Sequence, residues 1–227
     1  MMADRAKVIV HMFVTIDGKT TEYLQGSKDA RFGGAIYDQF TLSLGEAWGC
    51  GRATFDSHLQ VDLSKFSGKP HDRKDRFKES DKPLCFAIDR YGKLRYKRPT
   101  MHYGPIDCQV IEALTDQVDD ATLHHYDEIG VGYIFAGKEE FDMDLFLEKL
   151  YAHGIKTFVL CGGANINQEF LKRDLVDEIS LIMVPGVSGT RNGITSFGSL
   201  DPGLPKLFQL IEAKDIGHNC VRLRYKR

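Results

Sequence analysis

The sequence predicts an α/β fold: a mostly parallel central sheet flanked by helices, with a C-terminal antiparallel hairpin. Short β-branched and apolar runs alternate with amphipathic segments along most of the chain, the order expected of strands joined by helical crossovers. Each run ends at glycine or a polar loop. The last two runs, Leu207 to Asp215 and Cys220 to Tyr225, have only a short Gly217-His218-Asn219 turn between them, which predicts a hairpin at the sheet edge.

Lys7 to Val14 reads as the first strand and stops at Thr15-Ile16-Asp17-Gly18-Lys19, where Asp-Gly signals a turn. Ala35, Ile36, Phe40, Leu42 and Leu44 recur at three- and four-residue steps, giving a helix with Gly45 as its stop. Ala47 to Gly51 is a short strand entering a Gly-Arg loop. Residues from about 58 to 82 form a charged excursion; its stretch from Lys65 loses any apolar period and reads as a solvated loop or lid within a single domain of residues 1–227. Pro83 to Asp89, Cys108 to Glu112 and Tyr133 to Ala136 are further strands, the last ending at Gly137, with a helix candidate at Asp120 to Glu128. Phe141, Leu145, Leu147 and Leu150 mark a clearer helix closed by Gly154. Thr157 to Cys161 is an uninterrupted apolar strand that meets Gly162-Gly163, followed by a helix from Asn165 to Arg173 and a strand from Glu178 to Val184.

A chain of 227 residues with 42% hydrophobic residues, 14 Phe and 9 Tyr can bury a sizeable core. The 30 Lys and Arg against 32 Asp and Glu give a net charge of −2, which argues against a nucleic-acid partner. No apolar run approaches the roughly 20 residues needed to cross a bilayer, and no export signal opens the chain. A cytoplasmic protein without a membrane partner is expected. Five cysteines lie in or beside apolar runs without a CxxC pair, so buried reduced thiols are expected and a zinc site is not. His124-His125 reads as part of a helix surface, not a ligand pair.

In an open α/β sheet, ligands gather outside the carboxyl ends of the strands. Gly162-Gly163, between a buried strand and a helix start, lets a phosphate approach the backbone and the helix N–H groups, although such a pair also serves a tight turn. Asn165 and Asn167 are equally readable as helix caps. Gly51-Arg52-Ala53-Thr54 offers close approach, a guanidinium fork and a hydroxyl after a different strand. Asp89-Arg90 places another cation at a third strand end. Together the three loops suggest an extended phosphate-bearing ligand. Asp17 and Lys19 could orient a substrate or handle a proton. GxGxxG, GxxxxGK[ST] and Gly-x-Ser-x-Gly are all missing, which leaves no nucleophile in view.

Thr15-Ile16-Asp17-Gly18-Lys19, Gly51-Arg52-x-Thr54, Cys161-Gly162-Gly163-Ala164-Asn165-Ile166-Asn167 and Leu175-Val176-Asp177-Glu178-Ile179-Ser180-Leu181, in that order, resemble the riboflavin-biosynthesis reductase domain. That domain has the dihydrofolate reductase-like fold and occurs alone or as the C-terminal half of a deaminase-reductase. The resemblance spans about Lys7 to Tyr225 and implies NADPH as hydride donor, a small-molecule ribosylaminopyrimidine phosphate substrate and commonly a homodimer. By the same resemblance Gly51, Arg52 and Thr54 hold cofactor phosphates, Gly162, Gly163, Ala164 and Asn165 lie under the pyrophosphate, and Asp89-Arg90 reads the adenosine 2′-phosphate. Gly137 joins this cofactor set, and Thr15, Asp17 and Lys19 are placed as catalytic residues beside nicotinamide and substrate. Cys161 stands where many members carry Glu, and the HxE and PCxxC zinc pattern of the deaminase half is missing. The alternatives are a dihydrofolate reductase-like oxidoreductase of another heteroaromatic substrate and a non-catalytic nucleotide-binding protein.

Overall fold

The computed structural model describes residues 4–20, 26–55, 59–77, 80–104, 106–198 and 205–227. Ten strands and four α-helices follow one another as β1 (Lys7–Thr15), α1 (Lys28–Ser43), β2 (Ala47–Gly51), β3 (Leu84–Ile88), β4 (Thr100–Tyr103), β5 (Ile106–Leu114), α2 (Asp120–Ile129), β6 (Gly132–Phe135), α3 (Met143–Ala152), β7 (Thr157–Leu160), α4 (Ala164–Lys172), β8 (Glu178–Val184), β9 (Gln209–Gly217) and β10 (Cys220–Lys226). Two compact units result. The first is Met1–Ala6 with Glu46–Lys156, the second Lys7–Gly45 with Thr157–Arg227.

In the first unit β2, β3, β5 and β6 pair in parallel, and β4 runs antiparallel to the first half of β5. Phe86, Ile111, Ile134, Phe146, Leu147 and Leu150 are fully buried between these strands and the helices of the unit. Burial on both faces is why the strands read as continuous apolar runs and not as alternations. Asp119 and Asp142 start α2 and α3 by accepting hydrogen bonds from the amides of Thr122 and Leu145, at 2.7 and 2.9 Å. Gly130 ends α2 in the left-handed conformation.

The second unit pairs β7 and β8 in parallel with β1, then adds β10 and β9 antiparallel. His218 and Asn219 have φ of 52° and 57° in the β9–β10 turn, the backbone that a two-residue hairpin needs. The predicted hairpin is therefore present, and the α/β class with mostly parallel strands holds in both units. Helix α1 begins at Lys28, earlier than the expected Ala35, capped by the Ser27 hydroxyl. A Cβ on Gly33 would lie 2.7 Å from Val184 Cγ1; the glycine that interrupts the apolar period is what lets α1 lie close on β8.

The described residues of the charged excursion are exposed or half-buried, and the segment is also tied down by ion pairs and hydrogen bonds. The His71 side chain is nearly buried, and its Nε2 lies 3.0 Å from Asp127. Arg73 pairs with Asp120 at 2.5 Å and Lys65 with Glu128 at 2.6 Å. Asp75 accepts from the Phe135 amide at 2.8 Å and from Lys149 Nζ at 2.6 Å. Arg76 and Tyr133 exchange two backbone hydrogen bonds, of 2.8 and 3.0 Å. The charges cancel against partners far along the chain, so the described part of the excursion is tied to α2, α3 and the outer edge of β6.

Among the described residues two acids lie inside the first unit, Asp89 and Glu112, and Glu112 is the more deeply buried. Glu112 of β5 has no exposed surface; the Tyr96 hydroxyl donates to its Oε1, and Oε2 has no hydrogen-bond partner among the described residues. Burial, with Asp89 nearby, drives its carboxyl well above the ordinary range. The folded state therefore holds the proton more tightly than the unfolded chain, and stability declines as pH rises past the ordinary carboxylate range. Glu112→Gln keeps the shape and the Tyr96 contact without the charge. Its thermal midpoint is expected to exceed that of the parent by a margin that widens from pH 4 to pH 8, as measured by calorimetry across that range.

Candidate functional site

Strand register alone aligns four loops at one end of the first unit. Gly51 pairs with Ile88, Ile88 with Ala113, and Leu114 with Phe135. The chain thus leaves β2, β3, β5 and β6 at the same level, at the carboxyl ends where α/β sheets bind ligands. Arg52 opens a 3₁₀ turn over Arg52–Thr54 that no side chain caps, and its Nε lies 3.7 Å from Asp89. Arg52 and Thr54 are exposed.

Asp89 does not point outward as a ligand group would. Its side chain is almost fully buried and its Oδ2 accepts the amides of Lys93 and, at 2.7 Å, Leu94. Burial pushes its carboxyl up, against the pull of those amides and of Arg52. This aspartate shapes the loop after β3. Arg90 is fixed through its backbone, whose carbonyl accepts from the Thr115 amide at 2.9 Å and hydroxyl at 2.7 Å. Its guanidinium lies over the Tyr91 ring, 4.6 Å from the centroid, and pairs with the exposed Glu140 at 3.1 Å. Gly137, with φ of 106°, receives the Asp116 amide at 3.2 Å, and a Cβ there would collide with the Glu140 carbonyl. Only glycine fits this turn.

In the second unit, β7 ends opposite Val10 while β1 and β8 continue together to Thr15 and Val184. Gly162, with φ of 95°, is joined to Gly163 by a cis peptide bond, and a Cβ on it would lie 3.3 Å from Met12. Gly163 is the N-cap of α4 and supplies no side-chain hydrogen bond. The first amides of α4, including those of Ala164 and Asn165, are therefore left without a side-chain cap. Neither Asn165 nor Asn167 serves as one. Asn167 is buried, and its Nδ2 donates to the Ser196 carbonyl at 2.7 Å and to Met12 Sδ at 3.2 Å. It ties α4 to β1 and to the loop after β8.

Thr15, Asp17 and Lys19 come together three residues beyond Met12 on β1, roughly 10 Å along the strand. The Thr15 hydroxyl donates to Asp17 at 2.6 Å and accepts from the Lys19 amide at 3.0 Å. Asp17 also accepts the amides of Ser188 at 3.0 Å and Gly189 at 3.1 Å. These bonds, that from Thr15 first, hold its carboxyl down at about 2. Asp17 is ionised at neutral pH and joins the loops after β1 and β8. Lys19 Nζ donates to the Gly193 carbonyl at 3.1 Å.

Cys161 is only part-buried, and burial pushes its thiol up to about 11. It lies 3.8 Å from the Thr41 hydroxyl. All five cysteines are free thiols. His124 and His125 lie on α2, but His125 is buried and bonds the Tyr96 carbonyl at 3.1 Å, so the pair is not simply surface. Ser188 and Gly189 are what sequence reasoning missed, with the Pro185-Gly186 turn just before Ser188 as the available signal. Asn167 was singled out, but as a cap and not as the tie between α4, β1 and the loop after β8.

Uncapped helix amides in the second unit, and arginine-bearing loops at the carboxyl ends of parallel strands in the first, are each features able to hold a phosphate group. Residues 102–221 match the RibD C-terminal domain, and the chain belongs to that family. The 2,5-diamino-6-ribosylamino-4(3H)-pyrimidinone 5′-phosphate reductase of Aquifex aeolicus is 35% identical over 122 residues, 50% of this chain and 54% of that one. The matched stretch thus covers about half the length of that curated relative. A pyrimidine reductase-like protein from Corynebacterium diphtheriae superimposes with a TM-score of 0.67 at 14% identity, covering 98% of this chain and 91% of that one. RibD of Acinetobacter baumannii gives 0.68 at 16% identity, covering 98% and 58%. The two structural likenesses concern the fold.

Because Asp17 has a folded pKa below its ordinary value of 3.8, its contribution to stability is present above that value and is lost as pH falls through about 2. Asp17→Asn is expected to lose this segment of the acid-unfolding curve, so that its midpoint changes less than the parent's between pH 4 and pH 2. Thermal melts across that interval check it.

Proposed function

We propose that the chain is an NADPH-dependent reductase of a ribosylaminopyrimidine 5′-phosphate, working in the cytoplasm as a homodimer, with residues 1–227 acting as one reductase domain. The observation that carries this reading is the glycine turn before α4, whose backbone amides no side chain caps. Its Gly162 leaves open the space a Cβ would take beside Met12. Such a turn suits the diphosphate of a dinucleotide. Membership of the RibD C-terminal domain family and the printed activity of the Aquifex aeolicus relative support the substrate class.

In this reading Arg52 and Thr54 bind cofactor phosphate, with Gly51 allowing close approach and Asp89 holding the loop beside them. Arg90 binds the adenosine 2′-phosphate after releasing Glu140, and Gly137 keeps the neighbouring turn in shape. Gly162, Gly163, Ala164 and Asn165 hold the pyrophosphate through main-chain N–H groups. NADPH, when bound, supplies the hydride that reduces C1′ of the opened ribose to a ribityl chain. Thr15 and Asp17 fix the loop on which Lys19 stands. Asp17, acceptor-only at neutral pH, orients hydrogen-bond donors and does not deliver a proton; Lys19 carries the N–H donors that steer the substrate. The edge strand β9, with Leu210 and Ile211 56% and 43% exposed on its two faces, offers an edge for self-association.

The test follows NADPH absorbance with the diaminoribosylaminopyrimidinone phosphate and, separately, with dihydrofolate. Oxidation with the first alone is expected. Oxidation with dihydrofolate alone would assign another heteroaromatic substrate, and binding without oxidation would leave a nucleotide-binding protein. Arg52→Ala is expected to weaken NADPH binding by about tenfold, the loss of one exposed charge-assisted contact, with calorimetry as the measurement. Unchanged affinity would remove Arg52 from the cofactor set.

A further inference from the structure

A pocket of about 380 Å³ opens in the first unit among Phe55, Leu59, Thr100 of β4 and the segment that leads into it. The size falls in the ordinary range for small-molecule sites. Its apolar walls come from Phe55, Tyr96 and Met101. Phe55 and Tyr96 are themselves fixed. The Phe55 ring lies parallel to Trp48 with centroids 6.2 Å apart, and the Tyr96 hydroxyl is held by Glu112. Both are largely buried, 3% and 6% exposed, so they form a fixed floor, and the half-buried Leu59 and Met101 supply the apolar surface that a ring can reach.

The rim is cationic. Arg95, Lys97, Arg98 and His102 all line the pocket, four groups within eight residues. Arg95 is held in place by hydrogen bonds from Nη1 to the carbonyls of Gly92 and Leu94, at 2.5 and 2.9 Å. Arg98 and His102 share a single carboxylate, Asp107, at 3.8 and 3.3 Å, and Lys82 approaches the same group at 3.9 Å. One negative charge cannot balance Arg98 and Lys82 together. Arg98 and His102 remain 60% and 67% exposed, so their polar ends are free to turn toward a ligand. Positive charges gathered on one short segment repel each other unless an anion lies among them. The catalytic and cofactor residues assigned above include none of these groups.

We propose that this pocket is a second ligand site, for a small planar aromatic phosphoester. The ring lies against Leu59 and Met101 over the floor that Phe55 and Tyr96 make, and the phosphate meets Arg98, Lys97 and His102. Apolar walls alone would take a neutral ring, and charges alone would take inorganic phosphate; the combination selects molecules that carry both.

Calorimetric titration with 1-naphthyl phosphate tests it, with 1-naphthol and inorganic phosphate as the two half-ligands. Submillimolar binding of 1-naphthyl phosphate is expected, with both half-ligands at least about tenfold weaker. The double variant Lys97→Ala/Arg98→Ala, both exposed and harmless to the core, should weaken binding at least about tenfold, corresponding to the loss of charge-assisted contacts. Arg52→Ala and saturating NADPH should leave binding unchanged, which separates this site from the proposed cofactor loop. The proposal is overturned by the failure of 1-naphthyl phosphate to bind at millimolar concentration, by 1-naphthol binding equally well, or by a double variant with parent affinity. Displacement by NADPH, or loss of binding in Arg52→Ala, would equally overturn it by placing the ligand in the cofactor loop.

Discussion

The loops that give this protein its candidate chemistry depend on carboxylates that accept backbone N–H groups where parallel strands end. A strand that leaves a sheet abandons its ladder partners, and its amides need acceptors or water. After β3 the acceptor is Asp89, whose one oxygen takes the amides of Lys93 and Leu94. After β1 it is Asp17, which takes Ser188 and Gly189. Asp75 does the same for Phe135, the last residue of β6.

Within each unit, register then decides which loops meet. In the first unit the four parallel strands finish within one residue of a common level, so Arg52 and Asp89 directly follow aligned residues and Thr115 and Gly137 lie two and three positions beyond theirs. In the second unit β7 stops short of β1 and β8. The Gly162-Gly163 turn therefore lies against Met12, lower on β1, while Thr15, Asp17 and Lys19 stand beyond it. Asn167 bridges these levels by holding both Met12 and the Ser196 carbonyl. The glycine turn and the loop of Thr15, Asp17 and Lys19 thus occupy different heights of one unit, a separation that suits the proposed ligand, with its charged diphosphate and distant reactive ring.

What sequence could show follows from how local each signal is. Doubly buried strands such as β3 and β7 are legible because parallel sheets demand unbroken apolar runs, and Gly162-Gly163 before a helix is legible because few other residues fit there. Strand β4 escaped notice because Thr100–Tyr103 is only half-buried and shows no alternation. The start of α1 was hidden by Gly33, whose packing against Val184 lies far away in the sequence. The charges of the excursion look solvated in isolation, and their partners on α2 and α3 become visible only in three dimensions. Asp17 and Asp89 were recognised as polar groups at strand ends, but not as loop organisers, because the amides they hold belong to other segments or later turns. The cationic aromatic pocket beside β4 has no motif at all; it exists only because Phe55 and the segment from Arg95 to His102 fold together.

The proposed function rests on the backbone amides at the start of α4 engaging a dinucleotide. Backbone amide NMR during titration with NADPH reads those groups individually. The amides of Gly163 to Asn165 are expected to shift along a saturating curve, while the amides of Ser188 and Gly189 keep their Asp17 hydrogen bonds and move little. A titration that leaves Gly163 to Asn165 unperturbed contradicts the claim.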